Sequence, residues 1–350
     1  MKRKFALLSA CLLLMASLAA CGSGNNETAA PGTTENTEAE TTDKASDETM
    51  DEGAAGDGQV FEVGIIQLVE HTALDATNRG FVDGLKEEGI QVNIDQQNAQ
   101  NEQSTCDTIA TKFVADNKDL IFAIATPAAQ AVAGKTTDIP IVFSAVTDAE
   151  SAELVESNDA PGGNVTGTSD LTPVKEQIEL LTQLLPEAKT VGILYCSAEV
   201  NSVFQADLAK AEIEAAGLNW QEFTVSSSNE IQSVVESMVG KVDCAYAPTD
   251  NMIAAGMTTV AMVANENKLP VIVGEVGMLE AGGLATYSID YYNLGKLAAS
   301  QAAKVLRGEA ETVSMPVEYL SADECELLIN EEVAKELGIE IPEELKEKLQ

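Results

Sequence analysis

Of 350 residues, one is a histidine, His71, and 20 are basic against 57 acidic. So acidic a chain repels phosphate backbones and anionic lipid headgroups, which argues against nucleic acid as a partner. Past the first few residues only two arginines remain, Arg79 and Arg307. There is no GxSxG elbow, no HExxH pair and no glycine-rich phosphate loop, and "GGNVTG" does not lead from a strand into a helix with dinucleotide spacing. A Ser-His-Asp triad would have to use His71, and no serine is marked out as its nucleophile. Paired carboxylates across a cleft could do acid–base work, but nothing in the sequence fixes their separation. No catalysis is expected, and no cofactor or metal is implied.

Cysteine is sparse and scattered. Cys106, Cys196, Cys244 and Cys325 form no CxxC pair, which argues against a metal knuckle or a redox motif. Free thiols are the expectation, one disulfide is the alternative, and Cys244 inside "VDCAYAP" reads as a small core residue.

The apolar run Phe5–Ala20 spans 16 residues, short of the roughly 20 a membrane-crossing helix needs. It follows Lys2, Arg3 and Lys4 and ends in small residues, the layout of a cleaved secretory signal over 1–20. Leu18-Ala19-Ala20-Cys21 resembles the lipobox of bacterial lipoproteins, in which the cysteine sulfur receives a diacylglyceryl group. The alternative is an ordinary signal with an incidental cysteine. Each buried acyl carbon contributes about 0.8 kcal/mol, so two or three chains hold almost permanently. Lipidation at Cys21 therefore implies a protein anchored to the outer face of the cell membrane. Without its signal the chain carries 17 basic and 57 acidic residues.

Residues 21–59 are rich in Thr, Glu, Asp, Ala, Gly and Asn and hold no aromatic residue. Such a stretch cannot bury enough apolar surface to offset its ordering entropy, and it reads as a disordered tether. Random-coil scaling gives it a span of roughly 35 Å, enough to let a folded body meet a membrane partner.

From Val60 onward some 290 residues remain, more than one core usually serves. Near-continuous apolar segments, "VFEVGIIQLV", "LIFAIA", "IPIVFSAV", "TVGILYC", "VDCAYAP" and "LPVIVGEV", read as parallel strands covered on both faces. Helical patterns lie between them. Leu74, Thr77, Phe81 and Leu85 recur at three- and four-residue intervals, with Gly89 closing the helix. Further helices are predicted at 104–117, 174–185, 200–216, 230–239, 251–265 and 291–307. The alternation predicts an α/β fold of two doubly wound, Rossmann-like lobes. Composition breaks at 158–170, near Ser288 and after Gly308 predict three crossings, hence a hinge. The expected lobes are 60–165 with 290–312, and 166–289 with 313–350.

The segments "GIIQLVEHTALDATNRGFVDGLKEEG", "IATPAAQA", "FSAVTDAESAELV", "GGNVTGTSD", "ILYCSAEVNS", "APTDNMIAAG" and "GEVGMLEAGGLATYSIDYYNLG", in this order over 61–320, carry a resemblance. The chain resembles type I periplasmic substrate-binding proteins of ABC transporters, within the subgroup associated with tryptophan and tyrosine. One departure is Thr72, where relatives commonly have proline. The resemblance implies a monomeric receptor that closes on a small amino-acid-like ligand, an aromatic amino acid being the expectation, and docks on a permease with its ATPase. The same fold serving as a sensory module for a membrane receptor is the second reading.

Ligands of open α/β sheets sit beyond the carboxyl ends of the strands. Those ends give His71, Asp75, Thr126 and Thr147 in the first half and Glu199, Asn201, Ser202, Asp250, Asn251 and Glu275 in the second, with Asp170 and Asp290 flanking the crossings. Arg79 and Arg307 lie too far along their helices to clamp a ligand, so a carboxylate would be held by backbone N–H groups at helix starts near Thr126 or Ser197. The acids Asp170, Asp250, Glu275 and Asp290 suit an ammonium group. Asp250 and Asp290 also stand where N-caps stand, His71 could equally cap a helix or lie at the surface, and Tyr195, Tyr287 and Tyr291 serve packing as readily as stacking.

Overall fold

A computed structural model of the chain describes residues 59–321 and 324–349. The expected signal peptide, the lipidation site Cys21 and the tether up to residue 58 lie outside the described residues.

The apolar segments become two six-stranded sheets. The first contains β1 (Val60–Gln67), β2 (Gln91–Asn98), β3 (Leu120–Ile124), β4 (Ile141–Val146), β5 (Val165–Ser169) and β11 (Glu318–Tyr319), in the order β11-β5-β4-β3-β1-β2. All its pairings are parallel. Parallel strands need crossovers that cover both faces, which is why β3 and β4 are buried at every position and apolar at all but Ser144. The second sheet contains β6 (Thr190–Cys196), β7 (Asn219–Val225), β8 (Cys244–Ala247), β9 (Val271–Val273), β10 (Ala285–Ser288) and β12 (Glu326–Ile329), in the order β12-β10-β9-β8-β6-β7. Only β12 runs antiparallel. These are the two Rossmann-like lobes of the sequence expectation.

Helices α1 (Thr72–Glu87), α2 (Gln103–Ala115), α3 (Thr126–Ala133) and α10 (Tyr291–Leu306) pack on the first sheet, whose core includes Phe81 stacked on Phe122. The second sheet carries α4 (Val174–Leu184), α5 (Val200–Ala215), α6 (Ile231–Met238), α7 (Asn251–Ala255), α8 (Met257–Glu266), α9 (Val276–Glu280), α11 (Glu331–Leu337) and α12 (Glu343–Lys348). α1 and α10 lie against each other with almost no side chain between them. A Cβ on Gly80 would strike the backbone of Tyr292, and one on Gly295 would strike that of Thr77.

The single helix expected over 251–265 is two, α7 and α8, divided at Gly256. A Cβ at Gly256 would meet the Ile231 side chain, so α6 packs directly on the break.

The chain passes between sheets after Ser169, between Ser288 and Tyr291, and after Tyr319. The first and third passages come later than the expected limits of 165 and 312. Val165–Ser169, "VTGTS", has the composition of a loop yet is buried throughout, because its hydroxyls find partners: Thr166 donates to the Met315 carbonyl (2.8 Å) and Thr168 to Ser144 (2.8 Å). The first of those bonds ties 315 to this sheet and carries β11 with it.

All four described cysteines are free, and Cys106, Cys196 and Cys244 are buried. No described helix is long and apolar enough to cross a membrane.

Candidate functional site

The carboxyl ends of β5, β4, β3 and β1, adjacent in the first sheet, carry Asp170, Thr147, Thr126 and His71. Those of β9, β8 and β6 carry Glu275, the pair Asp250–Asn251, and the run from Glu199 to Ser202. The two rows touch. Gln205 of α5 donates through Nε2 to Thr147 Oγ1 at 3.2 Å, and Thr172, on the first passage, lies 3.4 Å from Thr249. A Cβ on Gly277 would lie 2.7 Å from Thr72 Cβ, so α9 rests on the start of α1. Asn251 stands beside His71.

Within this perimeter polar atoms lack partners. Seven buried side-chain polar atoms among the described residues have no hydrogen bond, and five belong here: His71 Nδ1 and Nε2, Thr126 Oγ1, Asn201 Oδ1 and Gln205 Oε1. Leaving such a group unmet costs about 1–3 kcal/mol, so buried polar groups are nearly always satisfied. Their gathering at facing strand ends of both lobes marks a place built for a polar guest.

Four buried carboxylates surround it. Glu199 accepts from Asn251 Nδ2 (2.6 Å), Asn201 Nδ2 (3.3 Å) and the Met252 amide (3.2 Å). Burial, assisted by the Asp250 charge, pushes its pKa up to about 7. Glu275 accepts from the amides of Gly277 (2.5 Å) and Met278 (2.8 Å), and burial raises it to about 7. Asp170 accepts from the Tyr291 hydroxyl (3.0 Å) and Thr147 (3.3 Å), and burial raises it to about 6. Burial also raises Asp250, which accepts from the amides of Ile253 (2.8 Å) and Cys196 (2.6 Å). Among the described residues no lysine or arginine pairs with any of the four. Buried acids without a cation favour a ligand that brings one.

The predicted residues divide. His71, Thr126, Thr147, Asp170, Glu199, Asn201, Ser202, Asp250, Asn251 and Glu275 come together. His71 precedes α1 without capping it, and burial pushes its imidazole down to about 4, with Asn251 and Asp75 opposing. Asp250 and Glu275 cap α7 and α9 through their side chains, so both carry the capping role while remaining buried at the site. Asp290 does not join: its carboxylate is exposed and caps α10, accepting from the amides of Tyr292 (2.9 Å) and Asn293 (3.2 Å). Asp75 turns toward Gln67 (2.6 Å), in a hollow of about 580 Å³ that first-lobe residues alone line. Tyr195 bonds Glu222 and Tyr287 packs near the passages, whereas Tyr291 is buried against Asp170. Arg307 pairs with Glu88, far from the strand ends.

Sequence reasoning missed Gln205 and Thr249. Gln205 falls one helical turn after Asn201 on α5, a spacing that places both on one face and could have revealed it.

A sequence profile for the family described as ABC transporter substrate binding protein matches residues 62–349. A tyrosine-binding protein of Clostridioides difficile is 44% identical over 282 residues, 79% of this chain and 81% of that protein. The crystal structure of an ABC domain in complex with L-Trp from Streptococcus pneumonia is 42% identical, covering 83% of this chain and 98% of that one with a TM-score of 0.80. The ligand-free, open structure of a substrate binding protein with adhesive properties from Clostridium difficile is 45% identical but superposes with a TM-score of only 0.62, covering 81% and 96%. At nearly equal identity the arrangement of the two lobes here is nearer to the ligand complex, in keeping with the contacts that join them.

Proposed function

The chain belongs to the family of ABC transporter substrate-binding proteins, and we propose that it captures an aromatic amino acid, tyrosine or tryptophan, between its lobes for uptake. Binding solutes rather than transforming them is what this family does, and such proteins work outside the cytoplasm. The observation that carries the ligand is the similarity, at 42% identity and a TM-score of 0.80, to a domain solved with L-Trp, joined by the 44% identical tyrosine-binding protein.

The mechanism is a shift between open and closed lobes. A ligand that touches both rows of strand ends stabilises the closed form and has no full counterpart in the open one. A zwitterion supplies an ammonium to the buried acids and a carboxylate to the helix starts, and no metal or cofactor takes part. The closed receptor then docks, as a monomer, on a permease whose ATPase drives transport, held nearby by lipid on Cys21 and the tether behind it.

Titration calorimetry and thermal unfolding with L-tyrosine and L-tryptophan test the ligand, because anything that prefers the folded state raises its melting point. A melt that neither amino acid moves overturns the proposal. Cys21→Ser tests the anchor: the variant should leave the membrane fraction, and retention there removes the lipid from the account.

A further inference from the structure

Resting on that reading, the geometry points to Asn201 and Gln205 as the residues that demand a hydrogen-bond donor from the ligand: their two amide oxygens, one turn apart on α5, receive its ammonium group.

The orientation of both amides is fixed by their neighbours. Gln205 Nε2 lies 2.8 Å from the Thr249 carbonyl, which can only accept, so the nitrogen must occupy that position. The same nitrogen reaches Thr147 Oγ1 at 3.2 Å in the opposite lobe. Gln205 is completely buried, and its Oε1 meets no donor. Asn201, 5% exposed, turns its Nδ2 to Glu199 Oε2 (3.3 Å) and Ser202 Oγ (3.2 Å), and its Oδ1 is likewise unmet. Positions i and i+4 of a helix share a face, so the two amides stand side by side on one wall. At Gln205 that wall meets Thr147 of the opposite lobe, and at Asn201 it meets Asn251, which donates to the same Glu199 oxygen and stands beside His71.

Charge gives this wall a polarity. Glu199 and Asp250 are buried beneath α5 and α7, and no described cation pairs with either. A ligand carboxylate placed here would face both acids, whereas an ammonium answers the acids and the two amide oxygens together. The opposite wall differs. There Thr126, 1% exposed and with an unpartnered hydroxyl, begins the eight-residue α3 on the strand between those of Thr147 and His71. Its start offers the free N–H groups of Thr126 and Ala128, Pro127 between them having none, and the positive end of the helix dipole, which suits the carboxylate. The amino acid is therefore held with its amine toward the second lobe and its carboxylate toward the first.

The test compares L-tyrosine with 3-(4-hydroxyphenyl)propanoate, which lacks only the amine, and with L-phenylalanine, which lacks only the phenol oxygen, by calorimetry on the lipid-free folded chain. Wild type should prefer tyrosine to the deaminated acid by at least tenfold, the weight of one or two charge-assisted hydrogen bonds. In Asn201→Leu and Gln205→Met that preference should fall by about tenfold or more while the tyrosine-to-phenylalanine ratio holds. Equal weakening of all three ligands would mean that the amides only support the fold, and a changed tyrosine-to-phenylalanine ratio would mean that they read the ring; either overturns the assignment. So does a wild-type protein that binds the deaminated acid as tightly as tyrosine, a result that needs no variant to fold. Failure of every aromatic ligand sinks the proposed function instead, and the same paired comparison with L-leucine and 4-methylpentanoate then decides this inference.

Discussion

Gln205 of the second lobe and Thr147 of the first share a buried hydrogen bond of 3.2 Å, and the Thr147 hydroxyl in turn donates to Asp170 Oδ1 at 3.3 Å. The bond exists only while the lobes are together. Thr147→Val keeps the shape and removes the acceptor, leaving a buried amide donor with one partner fewer. Ligand affinity should fall by about tenfold, equivalent to roughly 1–2 kcal/mol. Small-angle scattering of the unliganded variant should report a larger radius than wild type, and unchanged affinity and radius would remove this bond from the closing equilibrium.

Gly277 is where α9 rests on Thr72, and an added Cβ would come within 2.7 Å of Thr72 Cβ, a branched atom close to the backbone that cannot swing aside. Gly277→Ala should therefore hold the lobes apart, at a cost of about 1–3 kcal/mol to closure. The expected outcome is weaker ligand binding, read by calorimetry, with a ligand-free melting point close to that of wild type. A variant that binds normally would show that this contact yields.

Buried acids give the closed form a defined pH response. Glu199 and Glu275 are raised to about 7 and Asp170 to about 6, so between pH 4.5 and 7 the folded chain binds more protons than the unfolded one at these sites. Their contribution is present at low pH and is lost as pH rises through 6 to 7. His71, lowered to about 4, works the other way, losing stability as pH falls below 6.5. Three acids outweigh one imidazole, so the ligand-free melting point should fall from pH 6 to pH 8. Glu275→Gln should flatten the slope across that window, and a slope equal to wild type would mean that Glu275 is ionised throughout.

Asp290 separates capping from binding. Its exposed carboxylate receives two helix amides, so Asp290→Ala should cost about 1 kcal/mol of stability in a denaturant melt while ligand affinity stays put. A large loss of affinity would return this residue to the site.

Much of the architecture was legible because buried parallel strands are apolar at nearly every position, and β3, β4, β8 and β9, with the buried stretches of β1 and β6, announce themselves so. Two other strands do not. β2, "QVNIDQQN", is polar and half-exposed, and β5 satisfies a buried Thr-rich run through hydroxyl bonds to residues as distant as 315, which no local pattern can show. The site followed the same division. Strand ends located its residues as a group, but position alone does not say which way a side chain turns: Asp75 and Asp290 stand at the right addresses and face elsewhere. Gln205 escaped because it lies a full turn inside α5, past the loop where strand-end reasoning stops.

The close backbone approach of α1 and α10 at Gly80 and Gly295 bears on how such a molecule bends. Gly80 and Gly295 let one helix lie directly on the other's backbone, and only two residues separate the end of β10, in the opposite sheet, from the start of α10. With so little slack, α10 cannot slide along its neighbour to accommodate a swing of the lobes. The whole rotation of that passage must be taken up by Ile289 and Asp290, a pivot two residues long with a welded plate on its far side.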